Sequence, residues 1–315
     1  MPSIASNGSP SVSSSAVAGW SELPAEYAIP DSAPSLAEAQ EYCRRLARTH
    51  YENFSVATWF LPEHLRQHFY NVYAYCRISD DLGDEVSDRS AALHLLDEWE
   101  AELHACYSGT PRHPVFVALS ETVRKFEIPQ QTFADLLRAF RQDQRVSRYP
   151  TFDDLLGYCR YSANPVGHLV LYVCGYREVE RQTLSDFTCT ALQLANFWQD
   201  VSVDYSKGRI YLPIEDLRRF GVSEDTIAAQ QNTSGFCEMM RFEVQRAREW
   251  FQQGLPLVSK VDRALAIDIE LFSRGGQEIL NAIERQSYKV LGRRPAISKG
   301  RKLALVARAA WGKLR

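Results

Sequence analysis

The sequence predicts an all-α protein, a single-domain helical bundle around a central cavity. Three observations carry this. Nearly everything after Pro34 repeats its apolar residues with helical period. No stretch of alternating apolar and polar residues is bounded by hairpin turns. No fixed-period repeat and no Pro/Gly-rich linker divides the helical part. The 315 residues suffice for a substantial core.

The elements follow in order. Residues 1–34 are rich in Ser, Ala and Pro and read as a disordered tail without a catalytic part; residues 35–315 read as the folded domain. Ser35-x-x-Glu38 is a capping box opening a helix that runs to about His50. A second helix begins near Pro62 and ends in an acidic cluster, Asp80-Asp81-Leu82-Gly83-Asp84-Glu85. Helical stretches follow at about 87–107, 114–126, 130–145, 151–163 and 165–174. The next helix starts near Thr183 and carries a second polar cluster, Gln193, Asn196, Asp200 and Asp204. A polar loop runs through Lys207 to a short helix at about 214–220. Long helices at about 234–254 and 262–286 and a last one at 298–315 complete the chain.

Composition excludes several classes. A hydrophobic fraction of 45% and a charged fraction of 24% are ordinary for a soluble globular protein. A formal net charge of -3 leaves no electrostatic footprint for nucleic acid. The 7 cysteines are odd in number and scattered, with no C-x-x-C pair. They read as reduced thiols of a cytosolic protein, neither a disulfide framework nor a zinc site. No segment reaches the roughly 18 apolar residues of a membrane span. The N-terminus lacks the basic start and apolar core of a secretory signal, so a cytoplasmic place is expected.

The two polar clusters suggest chemistry. Leu65, Phe69, Tyr73, Cys76, Asp80 and Asp84 follow steps of four, four, three, four and four, so they share one helical stripe. The carboxylates thus extend an apolar, inward-facing stripe. A solvated acidic helix end is the plainer alternative, but unpaired buried carboxylates are costly. Gln193, Asn196, Asp200 and Asp204 likewise fall on one face, bordered by Cys189 and Phe197. A row of oxygen ligands suits Mg²⁺, which keeps several waters and is usually shared with substrate phosphates. The alternative is a buried polar network joining helices. Arg77 lies one turn before Asp80, and Lys207 and Arg209 follow Asp204, so cations suited to phosphate stand beside both clusters. Each could equally be a surface residue.

At these residues the chain resembles the squalene/phytoene synthase family of head-to-head prenyl transferases, from about Ser35 to the C-terminus. The matching segments are Tyr73 to Asp84, Leu192-Gln-Leu-Ala-Asn-Phe-Trp-Gln-Asp200, Lys-Gly-Arg-Ile-Tyr-Leu-Pro at 207–213 and Ala-Ile-Glu-Arg-Gln at 282–286. The resemblance implies the isoprenoid synthase fold and a prenyl diphosphate substrate held through Mg²⁺. It implies that Asp80 and Asp84 bind metal from one wall and Asn196, Asp200 and Asp204 from the other, with these four aspartates catalytic. It places Arg77, Lys207 and Arg209 on phosphate, and Tyr158, Ala163, Val166, Gly167 and Gln193 on the substrate cavity.

Three departures are informative. Many family members have Arg just before the aspartate at 200, where this chain has Gln199. Condensing enzymes usually have a Ser-rich segment where this chain has His50-Tyr-Glu-Asn-Phe54. The turn before the cavity helix reads Ser162-Ala-Asn-Pro-Val-Gly167. These features look like the hydroxysqualene synthase branch of hopanoid biosynthesis, which ionises presqualene diphosphate and captures the cation with water. The missing Arg at 199 argues against anchoring two diphosphates. Phe54, Tyr73, Tyr158 and Phe197 are candidates to face a carbocation, with an ordinary core role as the alternative for each. His50 is a candidate to orient substrate, against a surface or core role.

Other readings stay open. One is a condensing squalene or phytoene synthase; another is a non-catalytic assembly factor on the same fold. Association with other squalene-pathway enzymes is a further expectation. The last helix, with Lys299, Arg301, Lys302, Arg308 and Lys313, either packs on the domain or lies on an anionic membrane.

Overall fold

The computed structural model describes residues 19–50, 62–298, 300–301, 304–305 and 307. Twelve α-helices are named here: α1 (Leu36–His50), α2 (Glu63–Asp84), α3 (Arg89–Ser108), α4 (Pro114–Phe126), α5 (Gln130–Asp143), α6 (Phe152–Ser162), α7 (Asn164–Val173), α8 (Val179–Ser206), α9 (Ile214–Arg219), α10 (Glu224–Ala228), α11 (Ser234–Gly254) and α12 (Arg263–Arg285). Among the described residues there is no β-strand; a lone bridge joins Arg148 to Ile210.

Local chemistry sets the helix ends. Ser35 and Glu38 form the expected box, with Glu38 Oε2 2.9 Å from the Ser35 nitrogen. Thr151 and Asp154 form a second box at the start of α6. Asp88, Thr233 and Asp262 cap α3, α11 and α12 with side-chain oxygens. Each such cap satisfies backbone N–H groups that would otherwise lack partners, worth about 1 kcal/mol.

The helices pack into two cores. One gathers α1 to α5 around Trp99, Tyr75, Phe116 and Phe133, all sealed from solvent. Two of its polar side chains are paired: Trp99 Nε1 donates to Ser79 Oγ at 2.9 Å and Tyr75 OH to the Phe133 carbonyl at 2.8 Å. The other gathers α6, α8, α11 and α12 around Trp198, Phe236 and Phe251. Burying each such ring contributes roughly 1.5–3 kcal/mol. Helix α2 belongs to the first core and α8 to the second. Both also present a face to the cavity between them.

Several expectations are corrected. The tail was expected to extend through Pro34, but residues 19–34 are folded onto the domain. Tyr27 and Leu23 are buried, and Trp20 Nε1 donates to Glu98 at 2.9 Å. A Ser/Ala/Pro-rich background hid three apolar anchors that find partners only in the tertiary fold. Helix α8 begins at Val179, a turn before Thr183. Helix α10 and the 3₁₀ turns Ala25–Tyr27 and Leu255–Lys260 are too short to show a period. Of the last helix, Ser298 is described and not helical, residues 300, 301, 304, 305 and 307 are helical, and the others lie outside the described residues. Arg301 docks on α12, with Nη1 2.8 Å from Glu278 Oε2. No described helix is long and apolar enough to cross a membrane.

Candidate active site

The two polar clusters face one another. A cavity of about 510 Å³ is lined by Tyr73, Cys76, Arg77, Asp80 and Asp84 of α2 and by Gln193, Asn196, Phe197, Asp200 and Asp204 of α8. The stripe on α2 leaves the core at Phe69 and enters the cleft at Tyr73, so the Asp80 and Asp84 carboxylates continue it along the cleft wall, partly exposed to the opening.

Cations cross the cleft. The turn after α8 has Gly208 at φ +79, a backbone region that glycine enters without strain. It sends Lys207 and Arg209 to the opposite wall: Arg209 Nη1 lies 2.9 Å from Asp84 Oδ1, and Lys207 Nζ 3.4 Å from Asp84 Oδ2. Arg294 grips Asp200, with Nη2 2.9 Å from Oδ2. Arg77 lines the cleft but pairs mainly with buried Asp81, Nε to Oδ2 at 2.9 Å; its Nη1 is 4.0 Å from Asp80. Asp81 Oδ2 also accepts from Tyr27 OH at 2.8 Å. The middle acid of the first cluster therefore holds Arg77 in place from behind.

Uncompensated negative charge remains. Burial in the cleft, and then Asp84, push the Asp80 carboxyl up to about 6. Burial, and then Asp200, push Asp204 up to about 7.

A second, apolar cavity of about 300 Å³ shares Tyr73, Cys76 and Val166 with the lining of the first. Phe69, Val72, Val170, Leu192, Leu257 and Phe272 line it. Along α8 it reaches Ser185, about 20 Å from Asp200 at 1.5 Å per residue. Gly167 makes this seam. A Cβ there would stand 2.2 Å from Ser185 Oγ and 2.6 Å from Cys189 Sγ.

The arrangement is a charged cleft over an apolar tunnel. A family model for squalene/phytoene synthase matches residues 47–301. The chain belongs to the squalene/phytoene synthase family. The crystal structure of squalene synthase HpnC from Alicyclobacillus acidocaldarius is 46% identical, with a TM-score of 0.77 over 86% of this chain and 98% of that one. A dehydrosqualene synthase structure with a bound ligand is 27% identical, with a TM-score of 0.79 over 88% of this chain and 96% of that one. The 15-cis-phytoene synthase of Synechococcus elongatus is 31% identical over 85% of this chain and 91% of its own length.

In this squalene/phytoene synthase family member the donor set facing the cleft is all oxygen: Asp80, Asp84, Asn196, Asp200 and Asp204. Among the described residues no three acidic, His or Cys groups converge as a ready-made metal cluster. Opposed carboxylates repel, and internal arginines and a lysine occupy them. The raised carboxyls and the hard oxygen donors fit a dication shared with a phosphate ligand.

Of the other expected site residues, Tyr158, Val166 and Gln193 line the cleft and Gly167 lines the tunnel. Ala163 lines neither. It is buried at the joint between α6 and α7, and Ser162 faces the cleft instead. Tyr73 and Phe197 line the cleft, whereas Phe54 and the His50 side chain lie outside the described residues. Arg294 Nη2 lies 3.2 Å from Gln199 Oε1, so positive charge beside Asp200 is supplied from elsewhere in the chain.

Sequence reasoning missed Asp143, Tyr211 and Arg294. Asp143 ends α5 and lines the cleft with Tyr211. Tyr211 stacks on Phe197, centroids 3.9 Å apart. Asp143 carried no motif. Arg294 sits in a Gly-Arg-Arg-Pro run that reads as plain loop.

Proposed function

We propose that this enzyme ionises presqualene diphosphate and lets water capture the carbocation, giving hydroxysqualene and diphosphate. The observation that carries ionisation is the pair of opposed acidic walls, bridged by cations, beside an apolar cavity that shares part of their lining. The product reading is supported by the sequence departures at Gln199, at Asn164 and in the segment before α2.

Asp80, Asp84, Asn196, Asp200 and Asp204 would hold Mg²⁺, which when bound supplies Lewis-acid stabilisation of the leaving diphosphate. The chain does the rest. Arg77, Lys207 and Arg209 neutralise phosphate oxygens, each donating charge-assisted hydrogen bonds. The tunnel takes the hydrocarbon chains and keeps bulk water from them. The faces of Tyr73 and Phe197 stabilise a cation by up to about 2 kcal/mol each when desolvated. No protein nucleophile is required.

A second reading, condensation of two prenyl diphosphates, is favoured by one observation: Arg294 restores positive charge beside Asp200. Purified enzyme with Mg²⁺ is offered presqualene diphosphate or farnesyl diphosphate alone, and diphosphate and lipid products are measured. An alcohol from the first, with the second untouched, is the expected result. Consumption of farnesyl diphosphate alone selects the condensing reading. No diphosphate from either overturns both in favour of a non-catalytic role.

A further inference from the structure

Among the carboxylates of the cleft, Asp143 differs from the metal-facing four. It sits at the end of α5, on a wall without another acid. Its Oδ2 accepts from Tyr158 OH at 2.8 Å. Its Oδ1 is buried with no hydrogen-bond partner among the described residues. Two buried acids elsewhere, Glu102 and Asp216, are bonded within the fold. Glu102 Oε2 accepts two backbone N–H groups at 2.8 Å, and Asp216 pairs with Arg246 at 2.9 Å. Leaving a buried carboxylate oxygen empty costs free energy, roughly 1–3 kcal/mol or more. Asp143 lines the cleft, and its carboxylate keeps one acceptor unused.

The chemistry needs such an acceptor. When water adds to a carbocation, a C–O bond forms and the oxygen carries an extra proton. One O–H bond must then break, and its electron pair stays on oxygen to give the neutral alcohol. We propose that Asp143 accepts this proton on Oδ1, with Tyr158 fixing the carboxyl through Oδ2. The assignment rests on the water-capture reading of the site. The open cleft then returns the proton to solvent, so the cycle balances without another reactant.

The surroundings suit the task. Six ionisable groups face Asp143: Tyr158, Tyr149, Tyr211, Arg209, Asp84 and Asp80. Burial pushes its carboxyl up to about 7, against the opposing pull of Arg209 and the Tyr158 hydrogen bond. A base with an affinity near the working pH takes a proton and gives it up again.

The test partitions the cation. Wild type, Asp143→Asn and Tyr158→Phe are given presqualene diphosphate and Mg²⁺. Diphosphate release and the spectrum of lipid products are measured across pH, with thermal melts as a check on folding. In Asp143→Asn, diphosphate release stays within about tenfold of wild type, while the alcohol share falls by about tenfold or more in favour of elimination products. In Tyr158→Phe the carboxyl loses the bond that lowers its proton affinity. The acid limb of alcohol yield therefore moves to higher pH, and this arm reads the proposal even if Asp143→Asn does not fold. Parallel loss of diphosphate and alcohol in Asp143→Asn, at an unchanged product ratio, makes the residue structural. An unchanged alcohol share, or an unmoved acid limb in Tyr158→Phe, assigns the proton to the departing diphosphate; each overturns the proposal. If wild type makes no alcohol, the function reading fails first and the role of Asp143 falls with it.

Discussion

Arg294 holds Asp200 across 94 residues of chain, with Nη2 2.9 Å from Oδ2 and Nε on Oδ1. Its segment is fastened to α8 by Gln199 Nε2, which donates to the Pro295 carbonyl at 2.6 Å, and to the loop before α11 by a two-way bond between Asn232 and Leu291. The strap puts a guanidinium where the neighbouring position 199 has none. One acid on each wall is thus paired from a distance, Asp84 by the 207–209 turn and Asp200 by the strap.

A dication taking Asp200 must displace that guanidinium. Arg294→Ala therefore binds Mg²⁺ more tightly in the absence of substrate. The pair is half-exposed on the arginine side, so the gain is at most about 1 kcal/mol, or about fivefold. Calorimetric Mg²⁺ titration checks this; weaker binding would mean that Arg294 stays with Asp200 when metal arrives.

Tyr27 ties the N-terminal segment to Asp81 and so to Arg77. Tyr27→Phe removes one hydrogen bond to a buried carboxylate and costs about 1.5–3 kcal/mol, read as a lower denaturation midpoint. Binding of inorganic pyrophosphate should weaken as well, because Asp81 fixes the Arg77 guanidinium. Unchanged stability on Tyr27→Phe would show that the segment is dispensable.

Gly167→Ala forces Ser185 and Cys189 aside or parts α7 from α8. A cost of about 1–3 kcal/mol is expected, with slower turnover as the tunnel mouth narrows. Urea unfolding and steady-state rates read the two effects separately. A fully active, equally stable variant would contradict the close approach.

The raised carboxyls set a pH dependence. Asp80 is pushed up to about 6 and Asp204 and Asp143 to about 7, from an ordinary value of 3.8. Each binds its proton better in the folded protein than in the unfolded chain. Their stabilising contribution is complete below about pH 4 and is lost as pH rises through 6 to 7. Magnesium with inorganic pyrophosphate relieves that loss. It should raise the Tm by several degrees more at about pH 8 than at about pH 5.5, and an equal shift at both would refute the charge argument.

How much was legible follows from range. The stripe Leu65 to Asp84 and the face Gln193 to Asp204 are set by 3.6-residue periodicity, a local property, and both enter the cleft as read. Capping at Ser35 and Thr151 is local too. The sequence by itself determined an all-α chain with two inward acidic faces and cations near them. Only the tertiary structure decided which cation meets which acid, why Asp81 is spent on Arg77 and Tyr27, and that Asp143 and Arg294 belong to the site. Apart from the i, i+4 pair of Arg77 and Asp81, those partners lie more than ten residues apart, where no periodic or spacing signal reaches, and they meet because two apolar cores must close around one shared cavity.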